Sequence, residues 1–332
     1  MNRLRRAWRR LADERGAVLV LSVLMLSGLI GMTSLTVDTG HFFVERRHIQ
    51  NAVDAAALAA AAYLPTDDPA RLAAAVDEAI SYGAQNGVVI APGDITISTT
   101  SAANDTVEVT AARAVAFAFA RVLGVDGGTA SADAQAQIGS LAGAAGVLPL
   151  GVEYPTDGLV FGETYCLKLG SGGSCAGAQH GNFNALDIDH TGSDSAAVYR
   201  SKLTTGSLTT VHVNDHIDVV HGNMAGPTAQ GLGCDDDDGR LTGNTQSFSD
   251  VVEQIGNSYR VLDWTSPRLA VLPLVTYPSA DEAIVGGFGL FFIEDCGEQG
   301  SVLGRAIDTV IPGASWGPYR AGEGTRALKV TR

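Results

Sequence analysis

Residues 17–37 read AVLVLSVLMLSGLIGMTSLTV, apolar or small throughout and without a charge. At about 1.5 Å per residue the run makes about 31 Å of helix, enough to cross a hydrocarbon core of roughly 30 Å. The pattern then turns polar, with Glu45, Arg46, Arg47, His48, Gln50 and Asp54 preceding a run of alanines. No proline or glycine pair stops the helix before Leu64-Pro65, so one helix over about 15–62 is expected, half in a membrane and half outside it. Ala52, Ala56 and Ala60 recur at spacing four on the outer half. Such a stripe either packs on the helix's own domain or offers a surface for helix-mediated self-association.

The segment Leu64-Pro65-Thr66-Asp67-Asp68-Pro69 breaks the helix. Asp68 can cap a second helix over 70–84, with Pro69 in its first turn and Leu72, Val76, Ala79 and Ile80 as its apolar positions. Residues 94–99 and 106–112 alternate as strands around the turn Ala102-Ala103-Asn104-Asp105, which predicts a hairpin. A short helix over 117–123 and a strand over 129–138 complete a small α/β module, 65–145. The small-residue string GSLAGAAG at 139–146 reads as a joint.

Beyond it, strands are expected at 147–152, 164–169, 185–188, 209–213, 217–220, 270–276, 285–293 and 328–331. Helices are expected over 193–204, capped by Ser193, and over 248–259. The apolar string IVGGFGLFFI at 284–293 is too short for a second span and reads as a buried strand. The expected class is α+β: a long N-terminal transmembrane and stalk helix, the small α/β module, and a β-rich domain.

Charge orients this arrangement. Residues 1–16 hold Arg3, Arg5, Arg6, Arg9, Arg10 and Arg15 against Asp13 and Glu14, a local +4, so with a total of −14 the remainder carries −18. A basic stub before an apolar span keeps the N-terminus cytoplasmic and exports the body. The expected layout is therefore a stub (1–16), a transmembrane helix (17–37), a helical stalk (38–64), the module (65–145) and an extracytoplasmic domain (146–332). The lipid bilayer is the first expected partner. An acidic body repels phosphates, so no nucleic-acid partner is expected. The apolar run exceeds a signal-peptide core and lacks an Ala-x-Ala-like site directly after it, so an uncleaved signal anchor is expected. A prepilin-type cut after Gly16 is the alternative, although Leu21 stands where that processing pattern has Glu.

The four cysteines, Cys166, Cys175, Cys234 and Cys296, all lie in the exported part. An even count on the oxidising side predicts two disulfides, with Cys166–Cys175 and Cys234–Cys296 favoured among three pairings. No Cys-x-x-Cys pair supports a zinc ribbon. Five of the seven histidines, His180, His190, His212, His216 and His221, fall in one region. His212 and His216 would share a helix face, but their flanks read as strands around Asn214-Asp215, so surface histidines are expected there and not a metal site. Acidic residues concentrate at Asp187-Ile188-Asp189-His190 and at Asp235, Asp236, Asp237 and Asp238 before Gly239. Fitted to an EF-hand loop, the second cluster puts Cys234 and Thr245 at the first and twelfth ligand places, where the motif fails. It stands as a weak Ca²⁺ candidate beside a solvated acidic loop. No HExxH or GxxxxGK[ST] occurs, and Gly170-Ser171-Gly172-Gly173-Ser174 lies in a Cys-bracketed loop without a following helix, so no enzyme activity and no cofactor are expected.

One set of residues carries a family resemblance. Arg15-Gly16-Ala17, the apolar span, Val37-Asp38-x-Gly40, Arg46 or Arg47, and Gln50-Asn51-Ala52-x-Asp54-Ala55-Ala56-Ala57 resemble the N-terminal region of Flp pilus-assembly TadG-like proteins. The resemblance covers about 50 residues and implies a bacterial inner-membrane protein of the tight-adherence pilus and secretion system. Other pilus-assembly or envelope proteins are then the expected partners. A minor pilin-like subunit, assembled through its long helix, is one rival reading. An exported carbohydrate- or Ca²⁺-binding adhesin is another. Some TadG-like proteins carry a von Willebrand A-type domain with an Asp-x-Ser-x-Ser metal motif. The nearest string here, Asp94-Ile95-Thr96-Ile97-Ser98, alternates along a strand, so that site is not expected. Gly181-Asn182-Phe183, Leu186-Asp187-Ile188 and His221-Gly222-Asn223 with Gly226-Pro227 resemble Gly-Asn segments of the exported halves of such proteins. They are expected to be tight turns.

Overall fold

The computed structural model describes residues 14–154, 156–170, 185–192, 195–234, 238–255, 258–297 and 300–331. The fold is α+β, and the chain divides into two compact units. The first comprises Met1–Ser98, Thr106–Ala136 and Val330–Arg332; the second comprises Thr99–Asp105 and Gln137–Lys329.

The first unit is built on helix α1, Glu14–Ala61, which runs unbroken for 48 residues. It ends where Tyr63 and Leu64 bond back to the Ala60 and Ala61 carbonyls, just before Pro65. Asp68 caps helix α2, Pro69–Gln85, by accepting the Ala70 N–H at 2.9 Å, and Pro69 occupies the first turn as expected. The buried side of α2 overlaps the expected one and is centred on its small residues. Ala75, Ala79 and Gly83 are buried, while Leu72, Val76 and Ile80 are half-buried.

Helices α1 and α2 pack together, and Ala52, Ala56 and Ala60 of α1 are fully buried. Two small-residue seams allow close backbone approach, so dispersion contacts hold this pair more than bulky side chains do. The alanine stripe is thus taken up in the unit's own core, which leaves the self-association reading without a surface at these three positions. Strand β1 (Ile95–Ser98) pairs antiparallel with β2 (Thr106–Ala116), Ile95 opposite Val109 and Ser98 opposite Thr106, as the predicted hairpin requires. β2 packs on α1 and buries Val107, Val109, Ala111 and Val115. Strand β3 (Gly127–Ala144) borders β2 and buries Ala130, Ala132, Ala134 and Ala136 in strict alternation.

In the second unit, one sheet runs β4 (Val152–Glu153), β10 (Leu269–Thr276), β11 (Glu282–Gly297), β12 (Ser301–Ile307), β5 (Thr164–Lys168). β4 and β10 are parallel; the other pairs on this path are antiparallel. β11 is the central strand, and its apolar stretch buries Phe288, Leu290, Phe291, Phe292 and Ile293. Consecutive burial of this kind marks a strand covered on both faces. The end of β3 pairs with β6 (Val211–His212) and β14 (Ser315–Gly317), and β15 (Thr325–Thr331) pairs with β13 (Thr309–Val310). Strand β7 (His216–Asp218) joins β11 at its start. Helices α3 (Ala196–Thr205) and α4 (Ala225–Leu232) pack against each other, with Tyr199, Leu203 and Leu232 in the main core.

Several expectations change here. Residues 139–144, expected as an irregular joint, continue strand β3 and are buried or half-buried, and the division between the two units falls just before them, at 136/137. Their small side chains suit a tight approach, since a Cβ on Gly139 would collide with the Gly317 carbonyl and the Trp316 ring. The helix expected over 248–259 is a single turn, α5 (Phe248–Val251), followed by the hairpin β8 (Val252–Ile255) and β9 (Ser258–Val261). Val251, Val252, Ile255 and Val261 favour strand, and Gly256-Asn257 is a turn-forming pair in the sequence. Helix α4 contains Gly226-Pro227, which had read as a turn; Pro227 is accommodated because it lies in the first turn of the helix. Helix α3 is preceded by Ser195, and the expected cap Ser193 lies outside the described residues.

Candidate functional site

The candidate site is α1 and what is attached to it. Val18, Leu19, Val20 and Leu21 are all exposed, as are Val23, Leu24, Met25, Leu26, Leu29, Met32 and Leu35. Over residues 18–29 the helix is apolar or small and exposed at every position, which suits a non-aqueous surrounding. It is the one described helix long and apolar enough to cross a membrane.

Asp38 closes this half. The carboxylate accepts the Ala118 N–H at 2.9 Å, the Phe119 N–H at 3.0 Å and the Ala120 N–H at 2.7 Å, and Ser34 Oγ donates to it at 3.2 Å. The three amides open the 3-10 helix Ala120–Leu123, whose first N–H groups have no partner of their own. An anion at that point satisfies them with charge-assisted bonds. The Asp of Val37-Asp38-x-Gly40 therefore fastens the β2–β3 connection to α1. One turn further on, Phe117 meets Phe42 edge-on, with ring centroids 6.3 Å apart. Arg113 pairs with Glu45 at 3.2 Å and donates to the Gly87 carbonyl. Gln50 Nε2 donates to Asp54 Oδ1 at 2.8 Å and to the Asp133 carbonyl of β3 at 2.9 Å.

The predicted motif residues separate into two groups. Asp38, Gln50, Asp54, Ala55 and Ala56 are buried or half-buried in the unit. Val37, Gly40, Arg46 and Asn51 are exposed, and Gly40 has open space around the position of a Cβ. Val37, Gly40, Val44, Arg47 and Asn51 follow one another at spacings of three and four, so they share one outward stripe. Arg15 and Gly16 lie at the start of α1.

The body holds the remaining candidates apart. Cys234, just after α4, is bonded to Cys296 on β11 with Cα atoms 5.7 Å apart, as expected. Cys166 lies on β5; Cys175, and with it the expected Cys166–Cys175 pairing, lies outside the described residues. So do Asp235, Asp236 and Asp237, while Asp238 is exposed. Asp187 accepts Thr191 Oγ1 and the Gly192 N–H, each at 2.8 Å. Asp189 accepts the Leu208 and Thr209 N–H groups and pairs with Lys202. These carboxylates organise turns. His212 and His216 sit on β6 and β7 either side of Asn214, which has φ +70. His216 faces Glu282 at 2.6 Å and His221 faces Asp281 at 2.8 Å, so the histidines have separate acidic neighbours. Among the described residues, the clustering seen along the sequence does not become one site. Asp94 caps a 3-10 turn ahead of β1 by accepting the Ala91 N–H, and Ile95–Ser98 are strand.

Sequence reasoning missed Asp38's partners, Arg113 and Asp133, because they are main-chain or long-range contacts. It also missed Asp105, which is fully buried and accepts Thr100 N–H at 2.8 Å, Ser101 N–H at 2.9 Å, Ala102 N–H at 3.0 Å, Ser101 Oγ at 2.6 Å and Gln137 Nε2 at 3.0 Å. The only sequence signal was its place after Asn104 in a turn.

The geometry defines a class: a protein carried on one long helix, bare and apolar at its N-terminal half and built into a small α/β unit at its C-terminal half. Residues 16–62 match the family model described as "Putative Flp pilus-assembly TadE/G-like". The matched residues coincide with α1 almost end to end, and they associate the chain with Flp pilus assembly. No match to the chain was found among curated proteins or among solved structures.

Proposed function

We propose that this protein is a single-pass membrane component of a Flp, or tight-adherence, pilus assembly or secretion system. In this reading the N-terminus is cytoplasmic, residues 17–37 span the membrane, and the rest is displayed outside and acts by protein contacts without catalysis. The observation that carries it is the coincidence of the family match with α1, whose residues 18–29 are exposed at every position. The arginine-rich stub supports the orientation, and the Cys234–Cys296 disulfide supports an oxidising location for the body.

The outward stripe Val37, Gly40, Val44, Arg47 and Asn51 is the surface we assign to pilus-assembly partners. It contains motif residues that the unit's own packing leaves outside. A photo-crosslinking residue at Val44 or Arg47, in cells that make Flp pili, is expected to capture a pilus-assembly protein, whereas one at the buried Ile49 captures none. Deleting the gene and finding piliation and secretion unchanged would sink the proposal. The pilin-like rival requires removal of residues 1–16, which an intact mass of the membrane-extracted protein decides.

A further inference from the structure

The tip connecting β2 to β3 carries the strongest unexplained feature. Phe119, Val122, Leu123 and Val125 are 38%, 68%, 54% and 49% exposed. Four large apolar side chains within seven residues are an uncommon use of a water-facing turn. The tip is nonetheless well built. The Phe117 N–H donates to the Asp126 carbonyl at 3.0 Å and closes the loop, and Gly124, at φ +87, ends the 3-10 helix in the left-handed region where glycine is unstrained. Asp38 then holds the opening of that helix through three N–H groups.

Its height along α1 says what covers it. A Cβ placed on Gly31 would lie 3.8 Å from Leu123 Cδ1. Gly31 is seven residues before Asp38, or about 10 Å nearer the N-terminus along the helix axis. The 3-10 helix therefore runs from the Asp38 level down alongside Gly31, where α1 itself bears the exposed Leu29, Met32 and Leu35. The tip's apolar side chains continue the same apolar exposed surface. Arg121 and Asp126, exposed and 3.5 Å apart, supply the charged rim. An arginine there can reach lipid phosphates while its stem stays in the apolar layer.

We propose that the 117–126 tip inserts into the outer leaflet beside α1, giving the first unit a second hold on the lipid bilayer. It fixes the rotation of α1 as well as its depth, because one side of the helix must face the tip. This rests on the reading of α1 as a membrane anchor, and the experiment separates the two claims.

The full-length protein is reconstituted in vesicles of phosphatidylcholine and phosphatidylglycerol, with an environment-sensitive NBD label on Val122→Cys or Leu123→Cys, prepared without reductant so that the native disulfide stays closed. Val23→Cys in the apolar run and Val89→Cys, on an 89% exposed residue, serve as references. Labels at 122 and 123 are expected to emit at shorter wavelength and to lose roughly half their intensity to doxyl-labelled lipid, as an interfacial segment does. The label at 23 should also be quenched and that at 89 should not. Quenching at 23 without quenching at 122 and 123 overturns the insertion and leaves the anchor standing. A blue shift at 122 and 123 without lipid quenching means a protein surface covers the tip, which also overturns it. No quenching at 23 overturns the anchor and the insertion together.

Discussion

Replacing Asp105 tests whether one buried carboxylate organises the turn between β1 and β2. It is fully buried and accepts from three successive backbone amides, one hydroxyl and one side-chain amide. Burial pushes the carboxyl up, but the bonds from Ser101, Gln137 and Thr100 outweigh it and hold it well below the usual carboxylate range. Asp105→Asn keeps the shape and one acceptor oxygen but turns an NH₂ toward groups that are themselves donors. A hydrogen bond to a charged group contributes about 1.5–3 kcal/mol, and a buried donor left without a partner costs about 1–3 kcal/mol. Thr100 and Ser101 are exposed, so water recovers part of this. The expected loss is about 3 kcal/mol for the unit that contains it. Urea unfolding of the full chain in detergent, with Trp8 replaced by Phe and followed by tryptophan fluorescence, reads that unit, because the two remaining tryptophans, Trp264 and Trp316, both belong to it. The pH dependence adds a second check. A carboxyl depressed in the folded state stabilises above its unfolded pKa of about 3.9, and that stability is lost as pH falls through the folded value. The gap between wild type and Asp105→Asn should stay constant from about pH 7 to pH 5 and narrow below about pH 4. A loss under about 1 kcal/mol, or a gap unchanged down to about pH 3, refutes the reasoning.

Three further outcomes are expected. Cys296→Ser opens a crosslink across 62 residues and should lower stability by about 4 kcal/mol on loop-entropy grounds, read as a shift of the urea midpoint without reductant; an unchanged midpoint contradicts it. Asp38→Asn should speed hydrogen exchange at the amides of Ala118, Phe119 and Ala120 while leaving α1 helical by circular dichroism; unchanged exchange at those three amides contradicts the fastening role. Lys168 is buried, donates to the Leu169 and Asn223 carbonyls, and is pushed down by burial to about 8. Between that value and its unfolded pKa of about 10.4 the unfolded chain binds more protons, so wild type should gain stability relative to Lys168→Met as pH rises through this window; a flat difference contradicts it.

What was legible in the sequence was local. The apolar run of α1 and the Asp68-Pro69 start of α2 depend on composition and on neighbours within four residues, and so does the β1–β2 hairpin. The 248–259 misreading shows the limit of that information. A capping serine begins one helical turn, Ser247 bonding to Asp250, but β-branched residues and Gly256-Asn257 take the chain into a hairpin. The extent of β3 was hidden because glycine and alanine look like a linker until a partner strand needs the space they leave. The candidate site was half legible. The motif around Asp38 stood out as residue types, yet its meaning lay some 80 residues away in the amides of 118–120, and amides have no sequence signature.

That separation bears on how the family motif should be understood. Were the motif only a membrane-targeting signal, Asp38 and Gln50 would need no tertiary partners, since length and hydropathy suffice to insert a helix. Here Asp38 holds the 117–126 tip and Gln50 holds β3, so these polar residues make α1 part of a folded unit. Other motif positions, Val37, Gly40, Arg46 and Asn51, find no such use within it. One helix therefore carries two sets of constraints, an inner one from folding and an outer one from whatever meets the stalk. Substitutions on the inner set should lower stability and the yield of membrane-integrated protein, whereas those on the outer set should spare both and affect pilus assembly. If Gly40→Leu and Asn51→Ala leave the protein folded, inserted and fully competent for piliation, the outer set has no partner, and the motif reduces to fold and anchor alone.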